Sequence, residues 1–146
     1  MDLINYIENL LIDEEKIIQE LISIDNKICN RNISYQEIIR VVKNIKIDNV
    51  NIDKKVDIIT DGEINSVLYA LINYNTNINK IHIDRTFLAI NKWLIQRINE
   101  YYNINIILDD KINYNNYKNN IIIIGDSEFV DGISKIFEST NKIYLS

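Results

Sequence analysis

KVDIITDGEINSVLYALINYNTNINKIHID, residues 55–84, changes its hydrophobic period twice within one short stretch. Val56, Ile58 and Ile59 read as a strand. Ile64, Val67, Leu68, Leu71 and Ile72 then fall at i, i+3, i+4, i+7 and i+8, which is one face of a helix. Ile81 and Ile83 make a second strand, and Asp84 closes it. Between the first strand and the helix stands a tight turn, Thr60-Asp61-Gly62-Glu63. The stretch is therefore a strand–turn–helix–strand unit.

Working outward, Ile4, Ile7, Leu11, Ile18, Leu21 and Ile22 recur at near-helical spacing, interrupted by Asp13, Glu14 and Glu15, so one long helix or two short ones both fit. Ser34-Tyr35-Gln36-Glu37 has capping-box form and opens a helix through Ile45. Residues 46–54 read as a linker or an edge strand. Beyond the quoted unit, Ile90, Trp93, Leu94, Ile98 and Tyr101 share a helix face, and Ile104 to Leu108 is a third strand. KINYNNYKNN reads as loop. Ile121 to Ile124 is too continuously apolar to have a wet side, so it reads as a central parallel strand. Phe129, Val130, Ile133, Ile136 and Phe137 give the next helix, and Ile143 to Leu145 the last strand. Strands alternating with helices predict a mostly parallel sheet with right-handed crossovers. The expected fold is a Rossmann-like three-layer α/β domain over residues 51–146. A helical segment, residues 1–50, precedes it as a candidate peptide-docking region.

Composition narrows the function classes. The 146-residue chain is about one domain in length, and its net charge of −5 makes a nucleic-acid backbone a poor partner. No apolar run approaches a membrane span, and MDLINYIENLL has no positive region ahead of an apolar one, so the expected location is cytoplasmic. Cys29 is the only cysteine, which excludes an internal disulfide and a cysteine-rich zinc site. It reads as a small packing residue. Abundant Ile, Asn, Lys and Tyr with no Pro match an AT-rich coding sequence.

The turn between the first strand and its helix is the place where such a unit holds a ligand. A dinucleotide fingerprint places G-x-G-x-x-G where the first strand enters the helix. Here those positions read Thr60-Asp61-Gly62-Glu63-Ile64-Asn65, so only the middle glycine, the one that approaches a phosphate, is kept. Asp84 follows Gly62 by 22 residues, near where such folds hold a ribose hydroxyl. Asp61 and Glu63 flank the glycine and set two negative charges against the positive helix end.

Three pieces of residues 55–146 together resemble the ThiF-type activating-enzyme superfamily, which includes ubiquitin-, sulfur-carrier- and peptide-activating adenylating enzymes. VDIITDGEINSVLYALINYNTNINKIHID is similar to that family's first βαβ unit, with Ser66 where the family often has Ser. NKWLIQRINEYYNINIILDDKINYNNYKN is similar to its helix, strand and turn. NNIIIIGDSEFVDGISKIF is similar to the segment whose aspartate approaches ATP and magnesium, which puts Asp126 in that place. Residues 34–45 resemble the helix of the small peptide-recognition domains that precede such modules. Two fingerprint glycines are absent, the family's Asn/Arg/Gln cluster is reduced to Asn91, Gln96 and Arg97, and no catalytic or zinc cysteines follow. The resemblance thus implies a shrunken, degenerate relative that binds a peptide or protein partner without catalysis and without a cofactor. A homodimer is left open.

Two other readings stand beside it. One is an enzyme using ATP with magnesium, or NAD, at Gly62 and Asp84 with Asp126 near the reacting phosphate. The other is a small acidic inhibitor or immunity-type protein that blocks a basic partner, on charge alone. Asp61, Asp84, Asp109, Asp110 and Asp126 all follow strands, and such carboxylates can hold Mg²⁺ or simply cap helices. GDSEFVD resembles the fourth acidic motif of haloacid-dehalogenase-type phosphatases, but Ile83-Asp84-Arg85-Thr86 lacks the second aspartate of their nucleophile motif. His82 alternates away from Ile81 and Ile83 and reads as a structural histidine, since no Ser or Cys nucleophile pairs with it. Trp93, Tyr101 and Tyr102 read first as core.

Overall fold

The computed structural model describes residues 2–48, 53–74, 77–83, 89–109, 117, 119–137 and 141–145. Its elements run α1 (Leu3–Asp13), α2 (Glu15–Ile28), α3 (Tyr35–Asn44), β1 (Val56–Thr60), α4 (Ile64–Tyr74), β2 (Ile78–Ile83), α5 (Ala89–Tyr102), β3 (Ile107–Asp109), β4 (Asn120–Gly125), α6 (Ser127–Ser134) and β5 (Asn141–Tyr144). The five strands form one sheet in the order β3-β2-β1-β4-β5, and every neighbouring pair is parallel. The α/β architecture expected from the periodicity is the one observed. Strand order reverses between β1 and β4, which makes their carboxyl ends a topological switch point.

Right-handed crossovers put α4 and α5 on one face of the sheet and α6 on the other. Side-chain alternation agrees. Ile58, Ile81, Ile83, Ile122 and Ile124 join one core with Val67, Leu68 and Leu71 of α4 and Ile90, Leu94 and Ile98 of α5. Ile59, Ile123 and Val130 are equally buried but lie outside that cluster. The N-terminal helices share the first core through Leu3, Ile7, Leu11, Ile18, Ile22, Ile38 and Val42, with α2 against α5 and α3 against α4. Each such side chain contributes roughly 1.5–3 kcal/mol when fully buried. No described helix is long and apolar enough to cross a membrane.

Asparagine amides fasten the connections. Asn26 accepts from Ile33 N at 2.8 Å and donates to Ile33 O at 2.9 Å. Asn99 does the same to Ile106, at 2.8 and 3.1 Å. Asn73 accepts from Asp48 N at 2.8 Å and donates to Lys46 O at 3.1 Å, which lays that connection along α4.

These fastenings explain where the boundaries differ from expectation. The third strand starts at Ile107 rather than Ile104, because both backbone groups of Ile106 are taken by Asn99 and cannot join the ladder. Residues 46–48 and 53–55 form no strand, and residues 49–52 lie outside the described ones. Of the two N-terminal alternatives the chain adopts two helices, breaking at Glu14, where Asp13, Glu14 and Glu15 crowd acidic charge onto the negative end of α1. The Leu11 carbonyl there accepts from the Tyr35 hydroxyl. The Ser34 cap forms, its hydroxyl accepting from Glu37 N at 3.2 Å. On α5 the buried face is Ile90, Asn91, Leu94, Ile95 and Ile98, so the expected core positions Trp93 and Tyr101 fall at its rim. Tyr101 is 50% exposed and stacks on Tyr6 of α1, centroids 4.0 Å apart. Trp93 lies beneath the Arg97 guanidinium.

Candidate ligand-binding edge of the sheet

The turn after β1 begins with a residue that ties two strands together. Thr60 Oγ1 donates to His82 O of β2 at 2.9 Å and accepts from Gly62 N at 3.2 Å. Gly62 has φ 83°, a conformation that L side chains rarely adopt, so a glycine is required here for the bend itself. Asp61 then turns its carboxylate across the switch point. Oδ1 accepts from Glu63 N at 3.0 Å, and Oδ2 accepts from Asp126 N, in the turn after β4, at 3.1 Å. Close beside it is Gly125, where an added Cβ would lie 2.8 Å from Asp61 Oδ2 and 2.9 Å from the Phe129 ring. Asp126 caps its own helix, accepting from Phe129 N at 2.8 Å. Three backbone donors of these turns, Gly62 N, Glu63 N and Asp126 N, are thus engaged by side chains of the chain itself.

The N-terminus of α5 is filled in the same way from farther off. Asp25 of α2, only 2% exposed, accepts from Ala89 N at 2.6 Å and from Ile90 N at 3.1 Å. Burial pushes its carboxyl above the usual carboxylate range, and these two hydrogen bonds offset that only in part. Two more links bind the turn to its surroundings. Asn91 Nδ2 donates to Gly62 O at 2.9 Å, and Arg31, just past α2, pairs with Glu63 at 2.6 Å.

Of the residues singled out from the sequence, Gly62, Asp61, Glu63 and Asp126 come together at the switch point. Asp84 and Asp110 lie outside the described residues. Asn91 reaches the turn, whereas Gln96 is exposed and Arg97 faces Glu14 and Glu100 instead. Ser66 is buried in the first turn of α4. His82 is buried on the sheet face opposite Ile81 and Ile83, and Cys29 packs on the core at the end of α2. Among the described residues no group of three or more His, Cys, Asp or Glu is arranged to hold a metal ion.

Two clefts open along this edge. One, of about 440 Å³, has four carboxylates in its wall: Asp61, Glu63, Asp126 and Glu128. The other, of about 370 Å³, lies between α3, α4 and the end of β5 and includes Arg40, Lys46 and Tyr69. The Tyr69 hydroxyl donates to Asp48, and burial first, then that carboxylate, pushes its pKa upward.

Compared with family models, curated proteins and solved structures, the chain has no match among any of the three. The site is therefore built from its own residues. Sequence reasoning missed Asp25, Arg31, Gly125 and the cleft at Arg40. Asp25 had a usable signal: it continues the apolar row Ile18, Leu21, Ile22, and an acid in such a row needs buried donors.

Proposed function

We propose that the chain is a non-catalytic, degenerate ThiF-like Rossmann module that binds a peptide or protein partner of a modifying enzyme. The observation that supports this most is the Asp61 carboxylate, which accepts from both Glu63 N and Asp126 N across the switch point. An arriving phosphate has to displace that carboxylate and meet its charge. At about 5 Å two unit charges repel by roughly 3 kcal/mol at an effective dielectric near 20. A helix N-terminus returns about 0.3–1 kcal/mol, and about 2 at best. Repulsion wins, and the edge is left to contacts with a macromolecule.

Thermal unfolding with millimolar ATP plus Mg²⁺, and separately with NAD, tests this. The melting temperature of the native chain stays unchanged, because a ligand raises it only by binding the folded form. Asp61→Gly combined with Glu63→Gly frees the donors and removes both charges, so this variant gains a nucleotide-dependent rise. A rise in the native chain overturns the proposal. It favours the second reading, an ATP- or NAD-dependent enzyme at Gly62. That reading draws support from Asn91 Oδ1 and Ser66 Oγ, which are buried and have no hydrogen-bond partner among the described residues.

A further inference from the structure

The cleft between α3, α4 and the end of β5 has the opposite character to the acidic one. Its cations come from α3 and the residues after it. Arg40 and Asn44 lie one helical turn apart, Val41 and Ile45 form the adjacent row, and Lys46 follows the end of the helix. Leu145, just past β5, adds to the apolar floor, and Asn65 of α4 supplies an amide. The chain carries 21 acidic against 16 basic residues, yet no described carboxylate lines this space. Arg40 makes no ion pair among the described residues, and Lys46, 80% exposed, reaches only the edge of Asp48 at 4.0 Å. Tyr144, half exposed at the cleft, is anchored by its hydroxyl to Asp131 at 2.8 Å.

From these features we infer that the α3–β5 cleft is a docking site for a short acidic segment of a partner peptide, with carboxylates flanking an aliphatic side chain. The aliphatic group sets on Val41, Ile45 and Leu145, and the carboxylates meet Arg40 and Lys46. A compact anion alone fits poorly, because these cations stand on long exposed stems rather than converging as buried donors. The volume lies at the low end of ligand pockets and suits a few residues of extended chain. This inference rests on the reading of the chain as a peptide- or protein-binding module and names the chemistry of what it binds.

Short synthetic peptides with one leucine flanked on both sides by Glu, Gln or Lys, in a Gly-Ser background, are the probes. Binding is followed by fluorescence polarisation and by amide shifts in NMR. The Glu peptide binds about tenfold tighter than the Gln peptide, the size expected of two exposed charge pairs, and the preference shrinks with salt. Its shifts centre on Val41, Asn44, Ile45, Asn65 and Leu145. Arg40→Glu with Lys46→Glu, both on exposed side chains, removes the preference while circular dichroism stays native. Equal binding of Glu and Gln peptides, or no binding of either, overturns the inference. Tighter binding of the Lys peptide, with shifts at Asp61 and Glu128, overturns it too but leaves a peptide-binding module standing. Shifts at Gly62 on adding ATP and Mg²⁺ remove the reading beneath it.

Discussion

The acidic cleft and the cationic one open on the same edge of the sheet, yet their charged groups are used in opposite ways. Around the switch point Asp61 and Asp126 are committed to backbone N–H groups at the start of α4 and α6, and farther along the edge Asp25 does the same for α5. Their charge is spent inside the fold. Beside α3, Arg40 and Lys46 are exposed; among the described residues Arg40 makes no ion pair and Lys46 makes only the 4.0 Å contact to Asp48. Charge that braces a structure should be costly to remove and blind to ligands. Charge that waits for a partner should be free to remove and decisive for binding. On the reading proposed above, the two clefts separate architecture from recognition, and each can be tested for the other's role.

The largest effect is expected at Asp25. Replacing it with Ala strands two N–H groups at the start of α5, one of them buried, and costs about 2–3 kcal/mol in urea unfolding. Its pH dependence has a definite sign. A carboxyl whose pKa is raised on folding is held more tightly as the acid in the native state, so the proton-linked part of its stabilisation, separate from the two N–H bonds, is fully present below the unfolded pKa, about 3.9. It is lost as pH rises through the raised folded value. Asp25→Asn removes that slope, and a difference curve between it and the native chain that is flat across this window breaks the account.

Gly125 comes next. An alanine there puts a methyl into the space held by the Asp61 carboxylate and the Phe129 ring, and overpacking of this kind costs about 1–3 kcal/mol. The informative measurement is the cycle with Asp61→Ala. If the carboxylate is the obstacle, Gly125→Ala costs less in the Asp61→Ala background than in the native one, because the two sites touch. Additive costs show that the bridge between the two turns is not what Gly125 protects.

The alternation of strands and helices was legible because burial forces it. A strand covered on both faces, such as Ile121–Ile124, has no polar side to hide, and α4 shows an unbroken apolar row. Boundaries were less legible because they depend on side chains that bond backbone at a distance, as Asn99 does to Ile106. The abundance of Asn read as compositional bias, and at Asn26, Asn73 and Asn99 it fastens connections instead. At the site, the glycine turn and its two acids were visible, but not the direction in which they point. Glu63 turns to Arg31 and Asp61 to Asp126, pairings that only the packed chain creates. The cationic cleft was invisible, since Arg40 and Leu145 lie far apart in the sequence and no periodicity links them.

A smaller effect is expected where the two kinds of charge meet. Tyr69 lines the cationic cleft, but its hydroxyl bonds Asp48, so it belongs to the bracing set. Tyr69→Phe removes one hydrogen bond to a charged group and costs about 1–2 kcal/mol, while peptide preference is kept.

The smallest effects on stability are expected at the two exposed cations. Arg40→Ala and Lys46→Ala each change stability by less than about 0.5 kcal/mol, as expected for exposed side chains that enter no core. Lys46 has one contact to lose, to Asp48 at 4.0 Å, and an exposed pair of that kind contributes little. The same substitutions weaken the Glu-flanked peptide and leave the Gln-flanked one unchanged. A stability loss above about 1 kcal/mol in either variant would mean that the cation is a brace after all. The α3–β5 cleft would then join the switch point as a region whose charge is already used up in folding.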